Sequence, residues 1–163
     1  MIAVRVLLGI GFIFVLSGCA KKHYMKQESA FIVFKTPTLK HADLGFIYEN
    51  NDTLKVELYS VGQVLMSFEI TSQRVCMSMF ECMSKAQFNT QVLVKAYPKD
   101  ILDNIFRAKE IFGGLYKSKI RNGFTQKIKK DKKYNISYMV LKKKIIFRDI
   151  INGISIKITK GRE

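Results

Sequence analysis

The strongest constraint on the fold is a period-two alternation of apolar and polar residues. Between Leu54 and Leu58 every second residue is apolar, and the same pattern returns between Val64 and Ile70, after a turn at Gly62. Successive side chains of a strand point to opposite faces of a sheet, so this pattern predicts half-buried antiparallel strands.

Further strands are predicted on both sides of this pair. Their expected ranges are 30–35, 44–49, 124–129, 134–141, 145–150 and 154–159. Asn152-Gly153 separates the last two and predicts a hairpin, because a type I′ turn needs positive φ at both central residues.

A helix interrupts the strands. Pro98 suits a first helical position, and Asp100 and Asp103 suit the positive N-terminal end, whereas Gly113 and Gly114 favour termination. The apolar stripe at helical spacing comprises Ile101, Leu102, Ile105, Phe106, Ala108 and Phe112. The pattern over Ser84 to Leu93 is ambiguous between a second, shorter helix and other structure. The order of elements predicts an α+β fold.

The N-terminus has the three parts of an export signal. Arg5 precedes an apolar run from Val6 to Leu16, and the small residues Ser17 and Gly18 follow. The run has 11 residues, about half of the ~20 that cross a bilayer as a helix. We therefore expect residues 1–18 to be a removed signal peptide rather than a retained anchor.

Leu16-Ser17-Gly18-Cys19 resembles the lipobox of bacterial lipoproteins at all four positions. The resemblance implies that Cys19 receives a diacylglycerol, that the signal is cut before it, and that the new amino group is acylated. Ala20 is not the Asp that favours inner-membrane retention, so the expected location is the outer membrane, facing the periplasm. The alternative is that Cys19 is a small buried residue of a core helix.

The remaining chain suits one domain. Residues 19–29 are polar and predict a lipidated tether, and residues 30–160 predict a single α+β domain of ordinary size. With 48% hydrophobic residues and two prolines, the composition is that of a globular protein.

The charge is strongly positive, with 28 Lys and Arg against 13 Asp and Glu. For an exported protein, anionic lipid or lipopolysaccharide is a better expected partner than nucleic acid. Residues 117–148 hold 12 of the basic residues and one acid, Asp131. The candidate contacts are Lys127, Lys129, Lys130, Lys132, Lys133, Lys142, Lys143 and Lys144. The alternatives are a solvated surface that reflects base composition, and edge-strand lysines that discourage aggregation.

Cys76 and Cys82 are the other two cysteines. In an oxidising compartment they predict a disulfide, and the alternatives are two buried free thiols or, less favoured, a metal site.

Signatures of catalysis are missing from the sequence. No nucleophile elbow, phosphate-binding loop or dinucleotide-binding glycine pattern occurs, and His23 and His41 lack metal-ligand spacing. His23 falls in the tether and is expected to be solvated. For His41, which has Asp43 nearby, the alternative is a general acid–base role. We expect a protein without catalytic residues, cofactor or metal.

A lipid-anchored domain with a curved antiparallel sheet and one or two helices on its open face resembles LolB-type outer-membrane lipoproteins. The resemblance implies a half-barrel that carries lipid or acylated protein, with an apolar interior expected to include Phe46, Tyr48, Met66 and Phe68. Ordinary core packing of these four is the alternative. A second hypothesis is a structural or assembly subunit that docks on another envelope protein.

Overall fold

One antiparallel sheet of 11 strands dominates the structure. The computed structural model describes residues 24–78 and 80–161, with only the backbone of Phe80, so the proposed signal, Cys19 and His23 lie outside the described residues. The strands are β1 (Lys26–Lys35), β2 (Lys40–Glu49), β3 (Leu54–Ser60), β4 (Gln63–Ile70), β5 (Arg74–Met77), β6 (Phe80–Ser84), β7 (Lys117–Ile120), β8 (Gly123–Lys130), β9 (Tyr134–Leu141), β10 (Lys144–Asp149) and β11 (Ile154–Lys160). Between β6 and β7 lie α1 (Lys85–Gln91), α2 (Ile101–Phe106) and a 3₁₀ turn (Phe112–Gly114).

The strand order is β6-β5-β4-β3-β2-β1-β11-β10-β9-β8-β7. The chain starts in the middle of the sheet, runs outward to one edge, crosses through the helical segment to the other edge, and returns to the middle. The first and last strands therefore pair, with Ala30 opposite Lys160 and Lys35 opposite Ser155. The sheet is open, because β6 and β7 are edges that do not pair with each other.

The sheet has a buried inner face and a more exposed outer face. Alternate residues such as Ile32, Val56 and Ile156 define the inner face, and all three are fully buried. The buried apolar residues of α1 and α2 belong to the same core. The rings of Phe68 on β4 and Phe88 on α1, for example, lie 6.2 Å apart.

The two ends of the strands are distinct. The N-terminal end holds Tyr24 and the turns at residues 50–53 and 142–143, and Met25 donates its backbone N–H to Asn50 there. The distal end holds the turns at 61–62, 131–133 and 150–153, and Asn152 donates to the Lys133 carbonyl there.

The expected α+β class is correct at a coarse level, since the fold is a mainly antiparallel sheet with two helices. The predicted bounds 134–141 match β9, but β1 begins earlier than expected, at Lys26. Lys26 pairs with Glu49 on β2, and Glu28 forms salt bridges with Lys26 and Lys160. Residues 26–29 thus belong to the sheet.

The helix expected from Pro98 to Phe112 is shorter, and forms only α2. Ala108 has a φ of 57°, a left-handed conformation that ends the helix. Beyond it, Tyr138 donates to the Lys109 carbonyl, and the buried Gln126 side chain bonds the backbone of Ile111. These contacts hold the segment in a non-helical path. The ambiguous pattern over 84–93 corresponds to α1, whose N-cap Ser84 forms a capping box with Gln87.

The expected hairpin between β10 and β11 is present, but its turn differs from the prediction. Four residues connect the strands, and only Gly153 among them has positive φ. A two-residue turn with both φ values positive occurs instead at Val61 and Gly62, with φ of 50° and 78°. Strands β5, β6 and β7 were not predicted.

Candidate functional site

An apolar cavity of about 400 Å³ lies on the inner face, toward the distal end. We call it the methionine cavity; its lining comprises Thr38, Leu39, Met66, Met77, Met83, Gln91 and Val92. Its volume falls within the range of small-molecule sites, about 300–1,000 Å³. Methionine side chains are flexible and polarisable, so they adapt to ligands of irregular shape.

Strand alternation positions the cavity walls. Met66 on β4, Met77 on β5 and Met83 on β6 all point to the inner face, because Met77 pairs with Phe68 and Met83 pairs with Val75. Leu39 comes from the loop between β1 and β2. Thr36 holds that loop through two hydrogen bonds, one from its backbone N–H to the Leu39 carbonyl and one from the Leu39 N–H to its hydroxyl.

The cavity ends where larger side chains fill the interior. Phe34, Phe68 and Phe88 are fully buried beside it, and the rings of Phe34 and Phe68 lie 5.2 Å apart. Toward β9 and β10, Tyr138 and Phe147 fill the inner face. The methionine cavity is therefore confined to the side of the sheet formed by β4, β5 and β6.

Of the four residues expected in an apolar interior, only Met66 lines the cavity. Phe68 is a packed core residue. Phe46 and Tyr48 are corrected to the outer face, because the inward positions of β2 are Gly45 and Ile47.

Cys76 and Cys82 lie together on the outer side of the hairpin formed by β5 and β6. Their sulfur atoms are 2.01 Å apart, as in a disulfide. This link connects the two strands that carry Met77 and Met83. The oxidised state in the cell stays a prediction.

The structure does not bring the eight predicted lysines together, although all eight are exposed. Lys127, Lys129 and Lys144 project from the outer face, and Lys129 contacts Asp131 at 3.5 Å. Lys130, Lys132 and Lys133 lie at or beside the distal turn, whereas Lys142 and Lys143 form a turn at the N-terminal end. Strand β9, with eight residues, separates these turns by about 25 Å.

Strand pairing assembles a different basic site, which the sequence analysis missed. Arg148, Ser155 and Lys35 are consecutive neighbours across β10, β11 and β1, and Lys157 lies one row away, opposite Val33. A groove of about 420 Å³ is lined by these four side chains. We call it the basic groove. Alternation within each strand could have assigned these residues to the outer face, but only the pairing of β1 with β11 brings Lys35 beside the others.

An aromatic cluster covers the outer face of β2 and β3, from Tyr24 at the N-terminal end to Tyr59 near the end of β3. The ring centroids of Tyr24 and Tyr48 are 5.3 Å apart, and those of Phe46 and Tyr59 are 5.5 Å apart. The hydroxyls of Tyr48 and Tyr59 donate to Glu57, which also pairs with Lys55 at 2.6 Å.

These contacts shift the pKa values within the cluster. Burial, followed by the hydrogen bond to Glu57, raises the pKa of Tyr48 to about 12. For Glu57, burial acts to raise the pKa, but Lys55 and the two phenol hydroxyls outweigh it and lower the pKa below its ordinary value.

Two further sites of buried polar atoms differ in their hydrogen bonding within the described part of the chain: Asp149 is fully bonded, whereas His41 has an unpartnered nitrogen. The carboxylate of Asp149, fully buried, accepts hydrogen bonds from Tyr97, Asn135, Ile151 and Asn152. Burial, followed by the bond to Asp149, raises the pKa of the Tyr97 phenol. The Nε2 atom of His41 is buried and has no hydrogen-bond partner among the described residues.

Within residues 24–78 and 80–161, no helix is long and apolar enough to cross a membrane. In the same part of the chain, no three His, Cys, Asp or Glu side chains are grouped closely enough to hold a metal ion.

Comparison with known proteins finds no family model that matches the chain, and no curated protein whose sequence matches it.

Proposed function

We propose that the mature chain is a lipid-anchored carrier of the cell envelope that holds an acyl chain, from a lipid or an acylated protein, in the methionine cavity. The cavity is the observation that carries this proposal. It is apolar, contains three methionines and lies beside a packed aromatic core. An acyl chain that enters it gains about 0.8 kcal/mol for each buried methylene.

A half-barrel arrangement supports the carrier. In this view the open sheet curves around its inner face, and α1 and α2 lie across the opening between the edge strands β6 and β7. The burial of Phe88 on α1 and of Ile105 on α2 in the common core fits this arrangement. The same architecture is the basis of the resemblance to LolB-type carriers.

Attachment through Cys19 would place the carrier at a membrane, which we propose to be the outer membrane on its periplasmic side. Several acyl chains on one residue give firm attachment, whereas a single chain binds only marginally. The Cys19→Ala variant should lose incorporation of labelled palmitate and leave the membrane fraction. A Cys76→Ala, Cys82→Ala control should retain both, and an acylated Cys19→Ala variant would contradict the anchor.

Occupation of the cavity is tested by filling it. In Met83→Trp, an indole takes space used by at least two methylenes, so affinity for a fluorescent fatty acid should fall about tenfold. Met139→Trp is the matched control, because Met139 lies on the outer face of β9, away from the cavity. Unchanged affinity of a folded Met83→Trp variant would exclude the cavity as the binding site.

A second candidate function is an assembly subunit, and exposed apolar side chains at the distal end favour it. Val61 is 97% exposed in the turn between β3 and β4, and Ile150 and Ile151 are exposed in the turn between β10 and β11, at the same end of the sheet. Native mass spectrometry of the gently purified protein separates the candidates: bound lipid supports the carrier, and a stoichiometric protein partner supports the assembly subunit.

A further inference from the structure

The outer face of the sheet carries two adjoining surfaces. Acyl binding in the cavity on the inner face does not explain either of them. One is the basic groove on β10, β11 and β1. The other is an exposed apolar patch, which we define as Phe31 and Leu44, opposite each other on β1 and β2. Their chemistry together indicates what covers this face.

The basic groove is suited to a phosphate group. Arg148 and Lys35 are separated by β11, so their backbones are about 10 Å apart and their long side chains can reach one anion between them. The Ser155 hydroxyl lies on the intervening strand, and Lys157 lines the same groove. Arg148 can bind phosphate oxygens through two parallel N–H donors.

On the described strands around the groove, no outward-facing acidic side chain competes for these cations. The outward positions of β1, β8, β9, β10 and β11 contain neither Asp nor Glu. Asp149 borders the groove, but its carboxylate points inward to Tyr97 and Asn152. Within the described part of the chain, Lys35, Arg148 and Lys157 form no salt bridge, so the groove attracts anions.

The apolar patch directly adjoins this basic surface. Phe31 is 46% exposed and Leu44 is 62% exposed, and they lie opposite each other on β1 and β2. Phe31 also pairs with Thr159 on β11, two residues from Lys157. Exposed apolar side chains beside unpaired cations match the interface of a membrane, where apolar and phosphate groups occur at neighbouring depths.

The position of the proposed anchor, Cys19, also favours a membrane as the partner of the outer face. Tyr24 lies on the outer face against Tyr48, and Cys19 precedes it by five residues, which span at most about 18 Å. Strand β1 alone, with ten residues, is about 30 Å long. A chain anchored at Cys19 can therefore lay its outer face on the bilayer, but it cannot stand on its distal end.

We propose that the outer face docks on an anionic lipid surface, with lipid phosphates in the basic groove and Phe31 and Leu44 in the interfacial layer. This orientation rests on the proposed anchor at Cys19. It also directs the inner face and the methionine cavity away from the bilayer.

The chain contains no Trp, so a single introduced indole reports its own surroundings. The full-length acylated protein carrying Leu44→Trp is reconstituted in vesicles of brominated phosphatidylcholine with or without phosphatidylglycerol. Its fluorescence should be quenched when phosphatidylglycerol is present. Ala86→Trp, at an exposed position of α1, is the control and should stay unquenched.

Charge variants test the groove. Added to Leu44→Trp, the triple change Lys35→Gln, Arg148→Gln, Lys157→Gln should lower the docking equilibrium about 100-fold and abolish quenching. Lys130→Gln, Lys132→Gln, Lys133→Gln removes equal charge at the distal turn and should preserve quenching. Salt near 1 M should release the docked face, because the Debye length falls to about 3 Å.

Each other outcome contradicts a specific part of the proposal: the docking, the orientation, the groove or the anchor. Vesicle-bound protein without quenching of Leu44→Trp excludes docking and leaves the anchor intact, and equal quenching of Ala86→Trp excludes the orientation. Equal loss of Leu44→Trp quenching in both triple variants excludes the groove. Binding of inorganic phosphate to the groove without quenching indicates a soluble ligand and contradicts docking.

Protein that fails to bind vesicles contradicts the anchor and the docking together. Fatty-acid binding, measured separately, tests the carrier.

Discussion

Val61 combines 97% exposure with a left-handed backbone conformation, φ 50°. This conformation is unfavourable for a β-branched residue, and asparagine adopts it readily at the first position of a two-residue hairpin turn. Val61→Asn should raise the free energy of unfolding by about 1 kcal/mol, measured by urea denaturation.

Ile151→Asn is the control for Val61→Asn. Ile151 is also exposed in a distal turn, but its φ is not positive, so stability should change by less than about 0.5 kcal/mol. A decrease in stability of Val61→Asn would show that the valine makes contacts that outweigh its backbone strain.

Tyr48 gives the fold a dependence on alkaline pH. Because its pKa is raised from 10.0 to about 12, the unfolded chain loses the phenol proton first. The stability from this group is complete below pH 10 and is lost as pH rises toward 12. Tyr48→Phe should lose less stability over that interval than the parent protein, whereas Tyr116→Phe, at an exposed position, should follow the parent. Identical pH profiles for Tyr48→Phe and the parent would contradict this coupling.

At the residue level, the site was only partly predictable. Met66 belongs to an alternating strand that the sequence reveals, but Met77 and Met83 lie on short strands without a clear period. Phe46 and Tyr48 are apolar enough for an interior, yet the buried positions of β2 are Gly45 and Ile47. The apolar character of Phe46 and Tyr48 therefore suggests the inner face, but the register of β2 places both on the outer face.

Among the elements, the hairpin of β5 and β6 links stability to the cavity. The Cys76–Cys82 bridge closes a short loop, and its removal in Cys76→Ser, Cys82→Ser should cost about 2 kcal/mol of stability. Affinity for a fatty-acid probe should also fall, since Met77 and Met83 lie on these strands. Reductant should reproduce both losses in the parent protein and change nothing in the double variant. A parent protein unaffected by reductant would mean that the thiols are free.

Predictability at the element level followed the length and regularity of each strand. β9 has an uninterrupted period from Tyr134 to Leu141 and was located correctly. β5 and β7 have four residues each, too few to establish a period. The helix after Pro98 was overestimated because its apolar stripe continues past Arg107, while Ala108 and the hydrogen bonds to Lys109 and Ile111 redirect the backbone.

The order of the whole sheet could not be inferred from local patterns. Its central pairing joins Ala30 to Lys160, and no local turn connects them. That pairing also assembles the basic groove. Local sequence patterns indicate lysines that are close together in the chain, so they do not reveal a groove formed by Lys35, Arg148 and Lys157.

Removal of β11 tests this central pairing. A chain ending at Gly153 lacks the strand that joins β1 to β10, so two separate meanders with exposed apolar edges should remain. Limited proteolysis should degrade this chain rapidly, whereas a chain ending at Gly161 should resist as the parent does. A resistant chain ending at Gly153 would show that either half folds alone.

Because β1 pairs with β11, the sheet can be completed only after the last strand has been synthesised. Until residues 154–160 have emerged, β1 has no partner on one side, and the two halves of the sheet are connected only through the helical segment. Native contacts between the first and last strands form late in such a chain, and folding is correspondingly slow. For a protein proposed to cross a membrane before it folds, this dependence means that the complete sheet cannot form until its last strand has passed through.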